Sequence, residues 1–378
     1  MSGIASGFGI SSNVDAMMPY QAGKPIEDLA REYGLDPASI VKLASNENPL
    51  GMSDSVRQAI STFLDSVPGQ ALGRYPDPNA FALKQALAEH YQVPANWLTV
   101  GNGSNDLLEI ISLAILDQQA SCVYAEHAFI VYQLATQARG ATHIKVPAAS
   151  FGHDLQAMFE AIGDDTRLVF IANPNNPTGT FHSGDVIRSF VEKVHAAHGN
   201  RVTVVLDEAY NEYLDPQLRF DSAQLVRDFS NIIVVRTFSK AYGLAGMRMG
   251  FAIARPEMTD YLNRVRQPFN VNLLAQVAAV AALKDAAFLE KTYELNRDGK
   301  RWLSAQFAEM GLEFVPSFGN FILLRVGDAA AVNTALLQRG VIVRPVVGDG
   351  LPEHLRVSIG LPEENAKFIS ALKEVQGK

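Results

Sequence analysis

Lys240 lies in a setting that is unusual for a lysine. Its segment reads TFSKAYGLAGMRMG and otherwise consists largely of small, apolar and glycine residues, with Ser239 directly before the lysine and Arg248 further along. A charged amine is costly in apolar surroundings, and burial lowers its pKa so that it becomes a nucleophile able to form a Schiff base with a carbonyl. A lysine in a solvated loop could have the same neighbours, so this segment alone leaves both interpretations open.

A carboxylate motif offers a partner for such an amine. The segment VLDEAYNEY puts Asp207 directly after a run of β-type residues, and Tyr210 follows within the same motif. An aspartate that ends a buried strand beside a ligand site can pair with a cation or with a protonated ring nitrogen. The same residue could instead cap the N-terminus of a helix, which is a common role for aspartate.

Two more segments combine turn-forming residues with polar groups. GNGSND, at 101–106, places small residues with free backbone N–H groups at the start of a predicted helix, where an anion such as phosphate is favoured. It also half-resembles a dinucleotide-binding loop, although Asp106 stands where the third glycine belongs, and an ordinary capped turn is the alternative. NPNNPTG, at 173–179, either directs the amides of Asn175 and Asn176 outward or forms a simple Asx turn.

The hydrophobic pattern predicts the elements that position these groups. Short runs rich in β-branched residues alternate with helical stretches, which predicts an α/β fold with a parallel or mixed sheet covered by helices on both faces. Gly101, Asn173, Asp207 and Ser239 each follow such a run. Ligands bind beyond the carboxyl ends of strands in these sheets, so we expect the four motifs to share one edge. The chain then ends in long helices and short strands, which predict a smaller α/β domain.

The composition narrows the class of protein. The chain has 378 residues, of which 48% are hydrophobic and 19% charged, and a net charge of −8. These values are typical of a globular protein and favour neither nucleic acid nor an anionic membrane as a partner. The apolar runs are too short to span a bilayer, and the N-terminus lacks the pattern of a signal peptide. With Cys122 as its only cysteine, the chain is expected in a reducing compartment, the cytoplasm.

Histidines give no sign of a metal site. His195 and His198 are three positions apart on a predicted helix, but no carboxylate-rich HExxH motif accompanies them. We therefore expect a solvated helix face there, and no bound metal.

Taken together, the motifs resemble those of a known enzyme family. SKAYGLAGMRMG is similar to the S-K-x-x-x-L-x-G-x-R segment of pyridoxal-phosphate aminotransferases of fold type I, and NPNNPTG and DEAY resemble that family's asparagine and aspartate–tyrosine motifs in the same order. LASNENPLG, RYPDP, GNGS, NRVRQPFNVN and LRVSIGLPEEN resemble its histidinol-phosphate branch. The resemblance runs from about Tyr20 to the C-terminal helix.

This resemblance implies an α/β architecture of two domains and a dimer with shared active sites. The large domain would carry a mixed, mostly parallel central sheet, and the small domain would be C-terminal. We expect a mobile N-terminal arm at 1–20, a segment at 21–60 that contributes to the small domain, the large cofactor-binding domain at 61–275 and the small domain at 276–378.

The resemblance also implies roles for the residues around the cofactor, pyridoxal 5′-phosphate. Lys240 would bind the cofactor aldehyde as a Schiff base and carry the proton between the substrate Cα and the cofactor C4′. Asp207 would pair with the pyridine nitrogen, and Tyr210 and Asn176 would bond the phenolic oxygen. Phe129 would stack on the ring.

The cofactor phosphate would be held by a cradle of backbone and side-chain groups. The residues implied are Gly103, Ser104, Asn105, Ser239 and Arg248, joined by Tyr75 from the neighbouring subunit.

The substrate would be bound by anion-binding and polar residues, which the resemblance places at Tyr20, Asn46, Arg344 and Arg356. The implied reaction exchanges an amino group between glutamate and 3-(imidazol-4-yl)-2-oxopropyl phosphate. EHAFIVY departs from the commoner proline-containing version of its segment and is similar to members that also transaminate aromatic acids. A threonine-phosphate decarboxylase with the same motifs and a non-catalytic nucleotide-binding module are further alternatives.

Overall fold

The computed structural model describes residues 9–19, 23–66 and 72–377. Its strands are β1 Val41–Lys42, β2 Leu98–Gly101, β3 Ser121–Ala125, β4 Thr142–Val146, β5 Thr166–Ala172, β6 Thr203–Asp207, β7 Ile232–Thr237, β8 Gly250–Ile253, β9 Phe314–Val315, β10 Phe321–Arg325, β11 Val341–Ile342, β12 Arg344–Pro345 and β13 His354–Ser358.

Helices pack against the central sheet and within the rest of the structure. They are α1 Ser12–Asp15, α2 Ile26–Tyr33, α3 Asp54–Ser66, α4 Phe81–Tyr91, α5 Ser104–Ile115, α6 Ile130–Ala138, α7 Leu155–Glu160, α8 Gly184–His198, α9 Ser222–Asp228, α10 Pro256–Val265, α11 Leu273–Leu283, α12 Ala286–Glu309, α13 Ala329–Gln338 and α14 Pro362–Gln376.

The central sheet has seven strands in the order β2-β8-β7-β6-β5-β3-β4. The pairs β7–β6, β6–β5, β5–β3 and β3–β4 are parallel, whereas β8 runs antiparallel to both β7 and β2. All residues of β6 and β7 are buried, which explains why their sequences do not alternate between polar and apolar residues. The predicted α/β class with a mixed, mostly parallel sheet is confirmed.

A second, smaller unit of structure surrounds the four-stranded sheet β12-β13-β10-β9, whose neighbouring strands are antiparallel. Its core contains Leu43 together with residues between 303 and 372, whereas the core of the central sheet runs from Val56 to Ala282. The parallel pair β1–β11 attaches the N-terminal segment to this unit. The domain boundaries at 20, 60 and 275 stay a prediction.

The segment VIVRP, at 341–345, contains two short strands. It divides into β11 and β12, because Val341–Ile342 pair with β1 while Arg344–Pro345 pair with β13 in another sheet. Helix α2 ends at Gly34, which takes a left-handed φ of 67° at the helix C-terminus.

The part of the predicted N-terminal arm that the structure describes begins at residue 9. Ser12–Asp15 form α1, and the Asn13 amide donates to the carbonyls of Gln137 and Ala138, both at 3.1 Å. The mobility of the arm stays a prediction. Among the described residues, no helix is both long and apolar enough to cross a membrane.

Candidate active site

Strand ends of the central sheet surround a cavity of about 190 Å³. Its lining combines one lysine, one aspartate, three arginines and several amide and hydroxyl groups. The lining residues are Gly23, Ala44, Ser45, Asn46, Ser104, Asn105, Phe129, Ala172, Pro174, Asn176, Asp207, Ala209, Tyr210, Thr237, Ser239, Lys240, Arg248, Arg344 and Arg356. The motifs from four separate segments therefore meet at one edge of the sheet, as the hydrophobic pattern predicts.

Lys240 follows β7 and points its amine into this cavity. The Nζ atom donates to the carbonyl of Ser45 at 3.0 Å and lies 5.8 Å from the centre of the Tyr210 ring. Burial lowers the pKa of Lys240 to about 8, and the nearby charge of Arg356 lowers it further. A substantial fraction of this amine is neutral near pH 8, so it can act as a nucleophile or as a base.

Asp207 is the last residue of β6 and is buried. Its Oδ2 accepts a hydrogen bond from the Tyr132 hydroxyl at 2.9 Å, and its Oδ1 accepts one from the N–H of Ala209 at 3.2 Å. Burial raises the pKa of Asp207 to about 6, and these two hydrogen bonds oppose that rise. Within the described residues no lysine, arginine or histidine forms an ion pair with this carboxylate.

Tyr210 is held by a network that joins three parts of the chain. The Asn46 amide donates to the Tyr210 hydroxyl at 3.0 Å, and Asn46 itself has a left-handed φ of 54°. Ser358 fixes this strained residue, because its Oγ accepts from the backbone N–H of Asn46 at 2.9 Å and donates to its Oδ1 at 3.0 Å. The Asn320 amide donates to the carbonyl of Asn46. The Tyr210 hydroxyl accepts from Asn46, so its own proton points elsewhere.

Asn176 and Arg356 form a pair across the cavity. The guanidinium of Arg356 donates from Nη1 to Asn176 Oδ1 at 2.6 Å and from Nη2 to the carbonyl of Ala44 at 2.6 Å. Arg356 comes from β13 and is buried, while Asn176 belongs to the turn after β5, in which the bonds 173–174 and 176–177 are cis. Because Oδ1 of Asn176 is bonded to Arg356, its amide nitrogen remains as the group that can donate to a ligand.

The N-terminus of α5 forms one wall of the cavity. Ser104 and Asn105 are its first residues, so their backbone N–H groups have no partner within the helix. The Gly103 N–H donates to the carbonyl of Gly101 at 2.8 Å, and its expected contact with a phosphate stays a prediction. Gly103 instead provides space, since a Cβ atom there would lie 2.4 Å from Nη2 of Arg248.

Arg248 lies against this helix N-terminus. Its Nη1 donates to Ser239 Oγ at 3.5 Å and to a carbonyl at 3.1 Å, and among the described residues it forms no ion pair. The backbone before Arg248 turns at a glycine and again at Arg248 itself. Gly243 has a left-handed φ of 69° and no room for a Cβ beside Gly51, but Gly246 has open space around it. Arg248 itself supplies the second bend, with a φ of 59°.

The remaining predicted site residues divide into three groups. Phe129, at the start of α6, and Arg344 line the cavity. Tyr75 lies outside it, 80% exposed and stacked on Phe269 with ring centres 4.5 Å apart. Tyr20 falls outside the described residues.

The cavity opens into a wider one of about 630 Å³, and the two share Gly23, Phe129, Asn176, Arg344 and Arg356. Much of the wider lining is apolar. Its apolar residues are Met18, Pro19, Ile130, Leu134, Leu337, Ile342, Val343, Pro345 and Val347.

Three residues that hold the site together are absent from the predictions. Tyr132 bonds Asp207, and Ser358 and Asn320 fix Asn46. The position of Tyr132 could have been predicted from the sequence. It lies three residues after Phe129 on a predicted helix, so the two side chains face the same side. The contacts of Ser358 and Asn320 join positions more than 270 residues apart and leave no local signal.

The histidines that the sequence draws attention to lie away from the cavity. His198 bonds Arg201 at 2.8 Å, and His195 packs edge-on against Phe229. Among the described residues there is no group of three or more metal-ligating side chains.

Fold and site define a class of enzyme: an α/β group-transfer enzyme with a low-pKa lysine, a buried aspartate and an anion cradle at the edge of its sheet. The chain belongs to the class I and II aminotransferases, whose family pattern matches residues 38–372.

Curated relatives with high similarity extend over nearly the whole chain. The chain is 59% identical over 364 residues to histidinol-phosphate aminotransferase 1 of Cupriavidus pinatubonensis, with 95% of this chain and 94% of the relative covered. It is 51% identical to the histidinol-phosphate aminotransferase of Methylobacillus flagellatus, with 96% of each covered.

Solved structures agree with this assignment. The histidinol-phosphate aminotransferase of Sinorhizobium meliloti, solved in complex with pyridoxal 5′-phosphate, superimposes with a TM-score of 0.86 at 27% identity, covering 98% of this chain and 99% of that one. The aspartate aminotransferase of Thermus thermophilus shares the fold, with a TM-score of 0.83 at 24% identity over 97% of this chain and 100% of that one.

Proposed function

We propose that the protein is a pyridoxal-phosphate-dependent aminotransferase that interconverts L-histidinol phosphate and 2-oxoglutarate with 3-(imidazol-4-yl)-2-oxopropyl phosphate and L-glutamate. The observation that carries this proposal is the convergence of Lys240, Asp207 and the anion cradle of Ser104 and Arg248 on one cavity. The names of the relatives that are 50 to 59% identical support the choice of substrate.

The residues present fit the cofactor. Asp207 is a buried carboxylate whose hydrogen-bond partners, Tyr132 and Ala209, are both neutral, so a protonated ring nitrogen would supply the missing cation. Arg248 is a cation whose partners are a hydroxyl and carbonyl oxygens, so a phosphate would supply the missing anion. One ligand that carries a cation at one end and a phosphate at the other satisfies both.

Each group of the cofactor has a residue that would hold it. Lys240 would bind the aldehyde, Asp207 the ring nitrogen, and Tyr210 with Asn176 the phenolic oxygen. Phe129 would cover one face of the ring. The phosphate would lie against Ser239, Arg248 and the first N–H groups of α5, a helix N-terminus that favours a dianion. When bound, pyridoxal phosphate supplies a conjugated ring that accepts the electron pair left at the substrate Cα.

The protein supplies the proton transfers. Lys240, with its pKa lowered to about 8, is suited to take the proton from the substrate Cα and to deliver it one carbon away. Asp207 would keep a positive charge at the ring nitrogen of the bound cofactor through its own negative charge. Asp207 is buried and Lys240 is half-buried, so competing water is largely removed and these interactions are strengthened.

Two arginines would bind and orient the substrate. Arg356 and Arg344 line the cavity and its wider opening, and a guanidinium suits a carboxylate and a phosphate ester equally well. The same cations can therefore bind glutamate in one half-reaction and the phosphate ester in the other. Asn46 and Tyr20 are proposed to complete the substrate site.

We further propose a homodimer in which Tyr75 of each copy enters the phosphate cradle of the other. An 80% exposed tyrosine stacked on Phe269 is an apolar surface that a second copy would cover, and Leu72 and Phe81 nearby are 61% and 67% exposed. Mixing Tyr75→Ala and Lys240→Ala chains tests this, because only a mixed dimer would contain one intact site. The single, buried Cys122 supports the proposal of a cytoplasmic location.

A second substrate class, the aromatic 2-oxo acids, is favoured by the apolar lining of the wider cavity, where Leu134, Leu337 and Ile342 could contact a ring. Competition between phenylalanine and histidinol phosphate in the half-reaction measures how much of the activity is directed at aromatic substrates. Release of carbon dioxide from threonine phosphate would instead indicate a decarboxylase.

Borohydride trapping tests the proposed function. The loaded protein is reduced, digested and mapped by mass spectrometry, and the label is expected on Lys240. Lys300 is a matched control, because burial also lowers its pKa to about 8 although it lies outside the cavity. Lys300→Met should retain label and turnover, while Lys240→Ala should lose both. Turnover of histidinol phosphate by Lys240→Ala at the normal rate would refute the proposal.

A further inference from the structure

Tyr132 is a buried residue that connects two walls of the cavity without lining it. It lies on α6 with no exposed surface, and its ring stacks on Phe170 with centres 4.5 Å apart and planes 5° from parallel. The ring also meets Phe129 edge to face at 5.9 Å. These contacts leave the side chain little freedom, so the position of its hydroxyl is determined by packing.

The hydroxyl of Tyr132 is aimed at a single acceptor. It donates to Oδ2 of Asp207 at 2.9 Å, whereas the other carboxylate oxygen accepts from the backbone of Ala209. A carboxylate that is buried without an ion pair depends on such hydrogen bonds to remain charged. The phenol of Tyr132 is the side-chain donor among them.

We propose that Tyr132 is a positioning residue that keeps Asp207 ionised and oriented toward the cofactor ring nitrogen. This inference rests on the proposed function and adds to it a residue that acts through Asp207. Loss of the hydroxyl favours the neutral carboxyl, and the proton shared with the ring then moves toward Asp207. Because Phe129 contacts the ring of Tyr132 and not its hydroxyl, Tyr132→Phe removes this effect alone.

The other groups that act on Asp207 do not replace this donor. Burial raises the pKa of Asp207, the neighbouring Glu208 raises it further, and Lys240 lowers it. Glu208 is paired with Arg236 and with Ser222, so its own charge is held in place. In the free protein the raised pKa makes stability fall as pH increases from about 4, the unfolded value, through about 6, the folded value.

Tyr124 provides a matched control. It is buried next to Tyr132, with ring centres 6.4 Å apart, and its hydroxyl has no hydrogen-bond partner in the described part of the chain. Tyr124→Phe therefore removes an equivalent buried hydroxyl that does not touch Asp207.

The experiment has one arm with cofactor and one without. In the first, protein loaded with pyridoxal phosphate labelled with ¹⁵N in the ring is studied by NMR at pH 7. We expect the ring nitrogen of Tyr132→Phe to shift toward the unprotonated value, and that of Tyr124→Phe to match the unchanged protein. In the second, the free energy of unfolding of the cofactor-free chain is measured from pH 4 to 8. The reference is Asp207→Asn, in which this position cannot titrate.

We expect the fall in stability of the cofactor-free Tyr132→Phe chain to extend about one pH unit higher than in the unchanged protein, as the loss of one hydrogen bond to a charged group implies. Because burial also raises the pKa values of Glu208 and Glu212, the profile of Asp207→Asn gives the background, and Tyr132→Phe should leave that background unchanged. Equal pH profiles for Tyr132→Phe and the unchanged chain would overturn the proposal. If the unchanged chain binds no cofactor, the proposed function fails while the second arm still decides the role of Tyr132.

Discussion

The pKa of Lys240 is the property of the site from which reactivity can be worked out most directly. A fall from the ordinary 10.5 to about 8 means that roughly 300-fold more of the amine is neutral at pH 7. Burial is the main cause and the charge of Arg356 the next. Arg356→Gln removes that charge, and we expect the pKa of Lys240 to rise by about one pH unit, which leaves about ten-fold less neutral amine at pH 7.

The assay is the rate at which the cofactor-free protein captures pyridoxal phosphate, followed by absorbance from pH 6 to 11. The rate should rise with pH to a midpoint near 8 in the unchanged protein, and to a higher midpoint in Arg356→Gln. Arg325→Gln is the control, because this arginine lies on the same small sheet but pairs with Glu313 and Glu353 at the surface. It should leave the midpoint where it is.

Two outcomes would refute this reasoning. A midpoint near 10.5 in the unchanged protein would mean that burial does not perturb the amine. Equal midpoints for the unchanged protein and Arg356→Gln would mean that Arg356 does not act on Lys240 electrostatically. The Lys240→Ala variant measures how fast other lysines capture pyridoxal phosphate, and this rate is subtracted from the rates of the other proteins.

Three further predictions concern stability and binding. Lys240→Met should raise the free energy of unfolding of the cofactor-free chain by up to about 3 kcal/mol at pH 7, measured by urea denaturation. This gain should decrease as pH rises from 8 to 10.5, because in that range the lysine is already neutral in the folded chain and loses its proton in the unfolded chain as well. Ser358→Ala should lower that free energy by about 1–3 kcal/mol through the two lost bonds to Asn46, and an unchanged denaturation midpoint would contradict this. Gly103→Ala should weaken pyridoxal-phosphate binding in an equilibrium titration, because its Cβ would displace Arg248; equal affinity would exclude that clash.

The side-by-side position of Asp207 and Lys240 could be predicted from the sequence. Each follows a run of β-branched residues without polar alternation, which indicates a strand buried on both faces. The strands that precede them, β6 and β7, are indeed neighbours and parallel. Their carboxyl ends therefore lie at one edge of the sheet, as the physics of such sheets requires.

The fine structure of the site could not be predicted in this way. In this structure the Gly103 N–H donates to the Gly101 carbonyl instead of pointing freely into the cavity. A glycine-rich sequence does not determine which of these two arrangements forms. The left-handed backbone of Arg248 is also unexpected, because this conformation is uncommon for residues other than glycine. The contact of Asn46 with Ser358 depends on how two distant segments dock, which local propensities do not contain.

The network around Asn46 also has a consequence for how the protein is made. Asn46 is bonded to Asn320 and to Ser358, and Arg356 bonds Ala44, so the site is closed by residues that lie 274 to 312 positions apart in the sequence. During synthesis the ribosome releases Asn46 well before Asn320 and Ser358. The central sheet, whose core ends at Ala282, can form earlier. A nascent or truncated chain that stops before Ser358 would thus carry Lys240 and Asp207 on a folded sheet without a finished pocket, and we expect no activity until Asn320 and Ser358 have both been translated.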